Sequence, residues 1–274
     1  MQRNILTVPV QQVEATASSA RQDLVAVEEP LEIRVNGKAI SITMRTPGHD
    51  FDLAAGFLLS EGIVAGAWQI RSIEHAGSGG VGRAVGNAVD VELARGVEVD
   101  FERLRRNFYT TSSCGICGKT SIEALQCGRG PALARDAPVF EAGLIHLLPE
   151  RLRQAQSNFE QTGGLHAAGL FDALGNLRSA REDVGRHNAV DKVIGAEMLA
   201  DRIPDSNALL MVSGRVSFEL VQKTLAAGIP ILAAVGAPSS LAVEAARRFG
   251  ATLIGFIRND RFQIYAGQQR IRVR

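Results

Sequence analysis

Apolar and polar positions alternate over residues 31–44. Leu31, Ile33 and Val35 share one side of a strand, Asn36-Gly37 supplies a turn, and Ile40, Ile42 and Met44 resume the alternation, which predicts a β-hairpin. From Asp50 to Glu61 the spacing becomes helical, with Phe51, Leu53, Ala54, Phe57 and Leu58 on the buried face and Gly62 as the stop. Val89, Val91 and Leu93 mark another strand. The glycines before it (Gly77, Gly79, Gly80, Gly82) predict a loop. They are not a phosphate-binding fingerprint, because no apolar strand leads into them and no helix follows.

Pro149 and Gly163-Gly164 bound a predicted helix over 150–161. Strands are predicted over 166–171 and 177–183, joined by Leu174-Gly175-Asn176, followed by a helix over 186–201. Residues 208–212, 230–235 and 252–257 are short, continuously apolar runs separated by helical patterns over 218–227 and 239–249. That is the signature of buried parallel strands in βαβ units. A last short strand is predicted over 262–265. The expected architecture is α/β: a three-layer α/β/α core over 141–274, a smaller β-rich part over 26–140, and a flexible polar tail over 1–25.

Composition narrows the partners. The 274 residues are 46% hydrophobic and 22% charged, enough for one large domain or two that share a core. Lys+Arg number 30 against 29 Asp+Glu and aromatics are 5%, so neither a basic field nor a stacking surface argues for nucleic acid. No run approaches the roughly 18 apolar residues of a membrane helix. The N-terminal stretch has no apolar core of the signal-peptide kind, so a cytoplasmic protein is expected.

Only three cysteines occur, Cys114, Cys117 and Cys127, which argues against a disulfide framework. Thr120 and Glu123 have capping-box spacing, so Cys114-Gly-Ile-Cys117 should lie just ahead of a helix N-terminus, where a thiolate is favoured. Lys119 and Arg105-Arg106 would add to that effect if they fold nearby. A thioredoxin-like dithiol needs an apolar strand before the CxxC, and the preceding segment is Thr/Ser-rich. A structural zinc site needs four ligands, and the chain offers Cys127 and five dispersed histidines: His49, His75, His146, His166 and His187. The third reading is a nucleophilic or sulfur-carrying cysteine assisted by a second thiol, with Cys127 a buried apolar residue.

Polar residues concentrate again in Glu182-Asp183-Val-Gly-Arg186-His187-Asn188-Ala-Val-Asp191-Lys192, where a strand gives way to a helix. Ligands of α/β sheets favour such an edge, and Asn188, Asp191 and Lys192 fall at i, i+3, i+4 on one helix face; a solvated helix start capped by Asp183 is the plain alternative. His166 fits a core histidine or an acid–base group equally. Ser213-Gly214-Arg215 and Phe256-Ile-Arg258-Asn-Asp-Arg261 follow the ends of buried strands. They are either turns or arginines offered to an anion in one crevice with the 182–192 cluster.

Together, Thr111-Ser-Ser-Cys114-Gly-Ile-Cys117-Gly-Lys119, Gly164-Leu-His166-Ala-Ala-Gly169, the 182–192 string, Ser213-Gly214-Arg215 and the order of elements through Arg261 resemble the FdhD family, the accessory sulfurtransferases of formate dehydrogenases. The resemblance runs from about residue 30 to the C-terminus. It implies a fold similar to the cytidine deaminases, paired as a homodimer, although His166 is followed by Ala-Ala and the deaminase zinc signature is absent. It also implies an enzyme that takes sulfur from a cysteine desulfurase and passes it to the molybdenum or tungsten bis-guanine-dinucleotide cofactor of formate dehydrogenase. That cofactor is a substrate here; no resident metal or permanent cofactor is expected. Cys114 would carry the persulfide and Cys117 would assist. Phe256, Ile257, Arg258, Asn259, Asp260 and Arg261 would hold the cofactor, with His187, Asn188 and Asp191 added to the same pocket. A cofactor-binding escort without chemistry is the alternative.

Overall fold

The computed structural model describes residues 4–77, 86–101 and 132–273. Cys114, Cys117, Cys127, Lys119, Arg105-Arg106, the capping box at Thr120 and most of the glycine-rich stretch lie outside the described residues.

The expected tail is instead a hairpin. Strands β1 (Ile5–Glu14) and β2 (Ala17–Ala26) pair antiparallel from Ile5 opposite Ala26 to Glu14 opposite Ala17. Leu6, Val8 and Val10 alternate with Thr7 and Pro9, a period-2 pattern that the polar composition of the segment obscures. The predicted hairpin follows as β3 (Glu29–Val35) and β4 (Lys38–Arg45), with Asn36 and Gly37 both at positive φ in the turn. Helix α1 (Asp50–Ser60), β5 (Ile70–His75) and β6 (Ala88–Leu93) complete a four-stranded sheet of order β4-β3-β6-β5. Its inner face (Leu31, Ile33, Val35, Val89, Val91) packs in one cluster with Leu53, Ala54 and Leu58 of α1.

A short strand β7 (Phe140–Glu141) leads into α2 (Ala142–Gln154) and α3 (Ser157–Thr162). The single helix predicted from 150 is therefore two. Pro149 lies inside α2 and is not its start, and the chain breaks at Ala155-Gln156 before restarting. Glu182 supports the restart, its carboxylate accepting from the N–H groups of Asn158 (3.0 Å) and Phe159 (2.7 Å).

The central sheet contains β8 (His166–Phe171), β9 (Leu177–Asp183), β10 (Leu209–Val212), β11 (Ile231–Ala234), β12 (Thr252–Gly255) and β13 (Gln263–Ala266), in the order β13-β12-β11-β10-β8-β9. β10, β11 and β12 run parallel, as their continuous apolar runs predict. β8 and β13 flank them antiparallel. Helices α4 (Arg186–Leu199), α5 (Phe218–Ala226) and α6 (Ser240–Arg248) alternate with the strands, and a terminal β14 (Ile271–Arg272) pairs with β7. Along β10, Leu210 and Val212 join the cluster of α1 and α4, while Leu209 and Met211 join Ile145, Leu148 and Leu152 of α2. Helices thus cover both faces, in three layers.

Among the described residues, the β-rich part shares its core with the central sheet. Its apolar face and that of the central sheet belong to one cluster, bridged by α1 against α4. Two glycines set that crossing. A Cβ on Gly56 would lie 1.9 Å from the carbonyl oxygen of Asp191, and one on Gly195 1.8 Å from that of Asp52. Backbone meets backbone with no room for a methyl group. Gly195→Ala should force the helices apart and cost stability at or above the upper end of the roughly 1–3 kcal/mol typical of overpacking. Urea denaturation of the variant measures this; an unchanged midpoint would contradict the assigned contact.

Candidate functional site

Three parallel strands end on one edge of the central sheet, and glycine sets how closely their turns approach. A Cβ on Gly236 would lie 2.7 Å from the carbonyl oxygen of Gly214, and one on Gly255 3.1 Å from that of Gly236. The turns are laced together by the N–H of Gly236 to Gly214 O (3.0 Å), of Phe256 to Gly236 O (3.1 Å) and of Val216 to Ala237 O (3.0 Å). The structure therefore brings Ser213-Gly214-Arg215 and the 256–261 turn onto one crest. Arg258 is held at its root, with Nη1 donating to the carbonyls of Val235 and Ile257, each at 2.9 Å. Its N–H donates to Arg261 O at 2.8 Å, closing the turn. Arg215, Phe256, Arg258, Asn259, Asp260 and Arg261 are exposed, whereas the side chain of Ile257 is buried in the core. Within the predicted turn, Ile257 is the anchor.

The 182–192 string divides differently from the sequence expectation. Asn188, Asp191 and Lys192 do share one face of α4, but it points inward. Asp183 is fully buried and pairs with Lys192 Nζ at 2.7 Å. Its carboxylate also accepts from the N–H of Thr46 (3.1 Å), the N–H of Gly185 (2.8 Å) and Asn188 Nδ2 (3.0 Å). Lys192 donates to Thr46 O (2.8 Å) and Asn188 to Met44 O (2.7 Å), so the end of β4 is clamped onto α4. Asp191 binds Lys223 Nζ at 2.8 and 2.9 Å and accepts from Ser60 Oγ at 2.9 Å. Burial pushes the Asp191 carboxyl above its ordinary range, against the pull of Lys223 and Ser60. The polar atoms of Asn188 and Asp191 are thus engaged by internal partners.

Arg186 and His187 face the other way. His187 Nε2 lies 3.1 Å from Ser217 Oγ and 4.0 Å from a Glu219 carboxylate oxygen. Desolvation, then the charges of Lys223 and Arg186 and the neighbouring His166, push its pKa down to about 3. His166, at the start of β8, is pushed down by burial and by the guanidinium groups of Arg186 and Arg215, with Asp183 opposing. A Cβ on Gly214 would lie 3.3 Å from His166 Nδ1, so the imidazole rests against the crest. Both rings are neutral at physiological pH, beside arginines that favour an anion. Among the described residues, the buried Nε of Arg186 has no hydrogen-bond partner.

His166 also lines a cavity of about 460 Å³ with Leu152, Arg153, Gln156, Phe159, Gly163, Gly164, Leu165, Ser213 and Val235. Arg153 stacks over the Phe159 ring at 4.3 Å, and Ser213 Oγ accepts from the N–H of Ala167 at 2.9 Å. The wall from α2 and α3 had no signal in the sequence, because it forms only where the expected single helix breaks. The remaining histidines are dispersed: His49 lies 3.4 Å from Asp52, His75 packs on Phe51 at 4.8 Å, and His146 Nδ1 lies 3.1 Å from Arg258 O.

Because the folded pKa of His187 lies below the unfolded value near 6.5, the unfolded chain binds the extra proton between the two. Its contribution is present above about pH 6.5 and lost as pH falls toward 3. His187→Gln, which keeps a partner for Ser217, should show a shallower fall in melting temperature between pH 6.5 and 4 than the parent. Parallel profiles would contradict the neutral, desolvated imidazole.

Comparison with known proteins places this edge in context. Residues 26–272 match the model of the FdhD/NarQ family. A protein named sulfur carrier protein FdhD from Streptomyces avermitilis is 52% identical over 260 residues, 94% of this chain and 92% of its own. A protein of that name from Mycolicibacterium paratuberculosis is 53% identical over 253 residues, 92% of this chain and 93% of its own. A crystal structure from Desulfotalea psychrophila, provisionally titled a formate dehydrogenase accessory protein, superposes with a TM-score of 0.78 at 26% identity, covering 98% of this chain and all of the other. The chain belongs to the FdhD/NarQ family.

Proposed function

We propose that this protein is a sulfur carrier for formate dehydrogenase, and that it holds the sulfur as a persulfide on Cys114. The name borne by relatives about half identical over nearly the whole chain supports this most strongly. The donor is a cysteine desulfurase. The Cys114 thiolate attacks the terminal sulfur of the desulfurase persulfide; that S–S bond breaks, its electron pair leaves on the donor thiolate, and a new S–S bond forms on Cys114. Cys117 assists release: its thiolate attacks the inner sulfur of the Cys114 persulfide and expels hydrosulfide. The resulting Cys114–Cys117 disulfide is reset by a cellular dithiol.

The acceptor is the molybdenum or tungsten bis-guanine-dinucleotide cofactor, which is substrate here. The exposed arginines of the crest, Arg215, Arg258 and Arg261, suit its phosphates as bidentate donors, and neutral His166 stands near Arg215 and Arg186 without adding a titrating charge. Positioning by this bound anion would supply several kcal/mol of the transfer barrier. The same proposal carries a cytoplasmic setting, a homodimer and a likeness of the three-layer core to the cytidine deaminases. No helix among the described residues is long and apolar enough to cross a membrane.

The rival is an escort that binds the cofactor without chemistry. Cys114→Ala, expressed in cells lacking their own copy, should leave formate dehydrogenase at background while the variant still accumulates as folded protein. Cys117→Ala should give partial activity. Full activity with Cys114→Ala would establish the escort and remove the carrier.

A further inference from the structure

The β1–β2 hairpin leaves the body as a two-stranded arm. At its root the N–H of Val27 donates to Asn4 O at 2.9 Å, and a Cβ on Gly164 would lie 3.8 Å from that of Ala26. Beyond the root, every residue from Val13 to Asp23 is exposed. A ribbon of two strands is marginally stable on its own in water, and each of its outer edges is a row of unpaired backbone groups.

The two edges are not equivalent. With Val27 bonded to Asn4, the residues that exchange hydrogen bonds across the arm are even-numbered in β1 and odd-numbered in β2, ending with Glu14 opposite Ala17. The outward groups therefore belong to Thr7, Pro9 and Gln11 on β1, and to Ser18, Ala20, Gln22 and Leu24 on β2. Pro9 stands at the middle of the β1 edge with no N–H to give, a common guard against strand pairing. The β2 edge carries no proline, and the N–H of Leu24 turns to the carboxylate of Asp23 at 2.9 Å.

Along that edge the sequence is complementary to itself. A second strand related by a two-fold axis at Gln22 runs antiparallel, with Gln22 opposite Gln22 and Ala20 opposite Leu24. Each of these pairs can exchange both backbone hydrogen bonds. The same register sets Arg21 opposite Asp23, and Asp23 opposite Arg21, in the non-hydrogen-bonded positions where side chains come closest. Both residues are exposed and share one face of the arm, and neither has an ion-pair partner among the described residues.

We propose that the free edge of β2 pairs with the same edge of a second copy of this chain about Gln22, joining two arms into a four-stranded antiparallel sheet fastened by two reciprocal Arg21–Asp23 ion pairs. This rests on the homodimer read above and assigns it a surface. A foreign strand can offer the backbone groups, but the reciprocal charges favour a second copy. Pairing also covers the unguarded edge that the arm otherwise presents to solvent.

Sedimentation velocity of the full-length protein tests it. The parent should be a dimer whose dissociation constant rises at least about tenfold in Arg21→Asp and in Asp23→Arg, since each substitution sets like charges opposite one another at two places. Mixing the two single variants should bring back a dimer of parent affinity, because an all-acidic edge then meets an all-basic one. The double variant Arg21→Asp/Asp23→Arg should dimerise as the parent does. Gln22→Pro removes the central N–H, as Pro9 does on the other edge, and should be monomeric while keeping the parent's circular dichroism. Single variants that dimerise as tightly as the parent would overturn the arm pairing and leave the homodimer on another surface. A mixture that stays monomeric would also overturn the pairing. A monomeric parent would overturn the homodimer itself.

Discussion

The buried pair of Asp183 and Lys192 is the interaction on which the molecule's two parts depend. Asp183 ends β9 and Lys192 lies two turns into α4, yet both reach Thr46 at the end of β4, in the other sheet. Such a pair is a poor source of net stability, since desolvating both charges offsets most of their attraction. Its value is positional: removing one partner strands the other, so the chain has one well-satisfied way to dock β4 on α4. Asp191, the residue before Lys192, repeats the arrangement with Lys223 and Ser60, tying α1 and α5 to the same helix. Between these polar clamps, Gly56 and Gly195 let α1 and α4 touch backbone to backbone.

That rigid layer presents the crest. With α4 fixed from within, its first turn holds Arg186 and His187 beside the ends of β8 and β10, where His166 and Arg215 also arrive. The glycines at 214, 236 and 255 bring the three strand-end turns into contact. The turns carry arginine charge outward, while burial and neighbouring cations keep His166 and His187 neutral. In the proposed role, an edge built this way would have its electrostatics set before an anionic ligand arrives, as catalysis by positioning requires.

Much of this fold was legible in the sequence. Continuous apolar runs announced β10, β11 and β12, and Asn36-Gly37 announced the β3–β4 turn. The pattern failed where one signal masked another. Pro149 looked like a helix start because proline favours that place, but the α2 helix runs through it. The β1–β2 hairpin was hidden because its alternation carries few large apolar residues. The polar string at 182–192 misled in a more instructive way. Charged side chains at helical spacing show which residues share a face, but not whether that face looks at solvent or at another element. Asn188 and Asp191 share a face that is covered by β4, α1 and α5. Ionisable residues can be numerous there because each is paired, and only tertiary structure reveals the pairing.

The crest accounts for where an anionic acceptor would rest, and the cysteines account for what would be delivered to it. The most direct measurement of the central claim is mass analysis of the tryptic peptide bearing Cys114, after incubation with an active cysteine desulfurase and L-cysteine, without reductant. The carrier account predicts a gain of one sulfur atom on Cys114, lost on treatment with dithiothreitol. An unmodified Cys114, with sulfur turning over on the desulfurase, would contradict it.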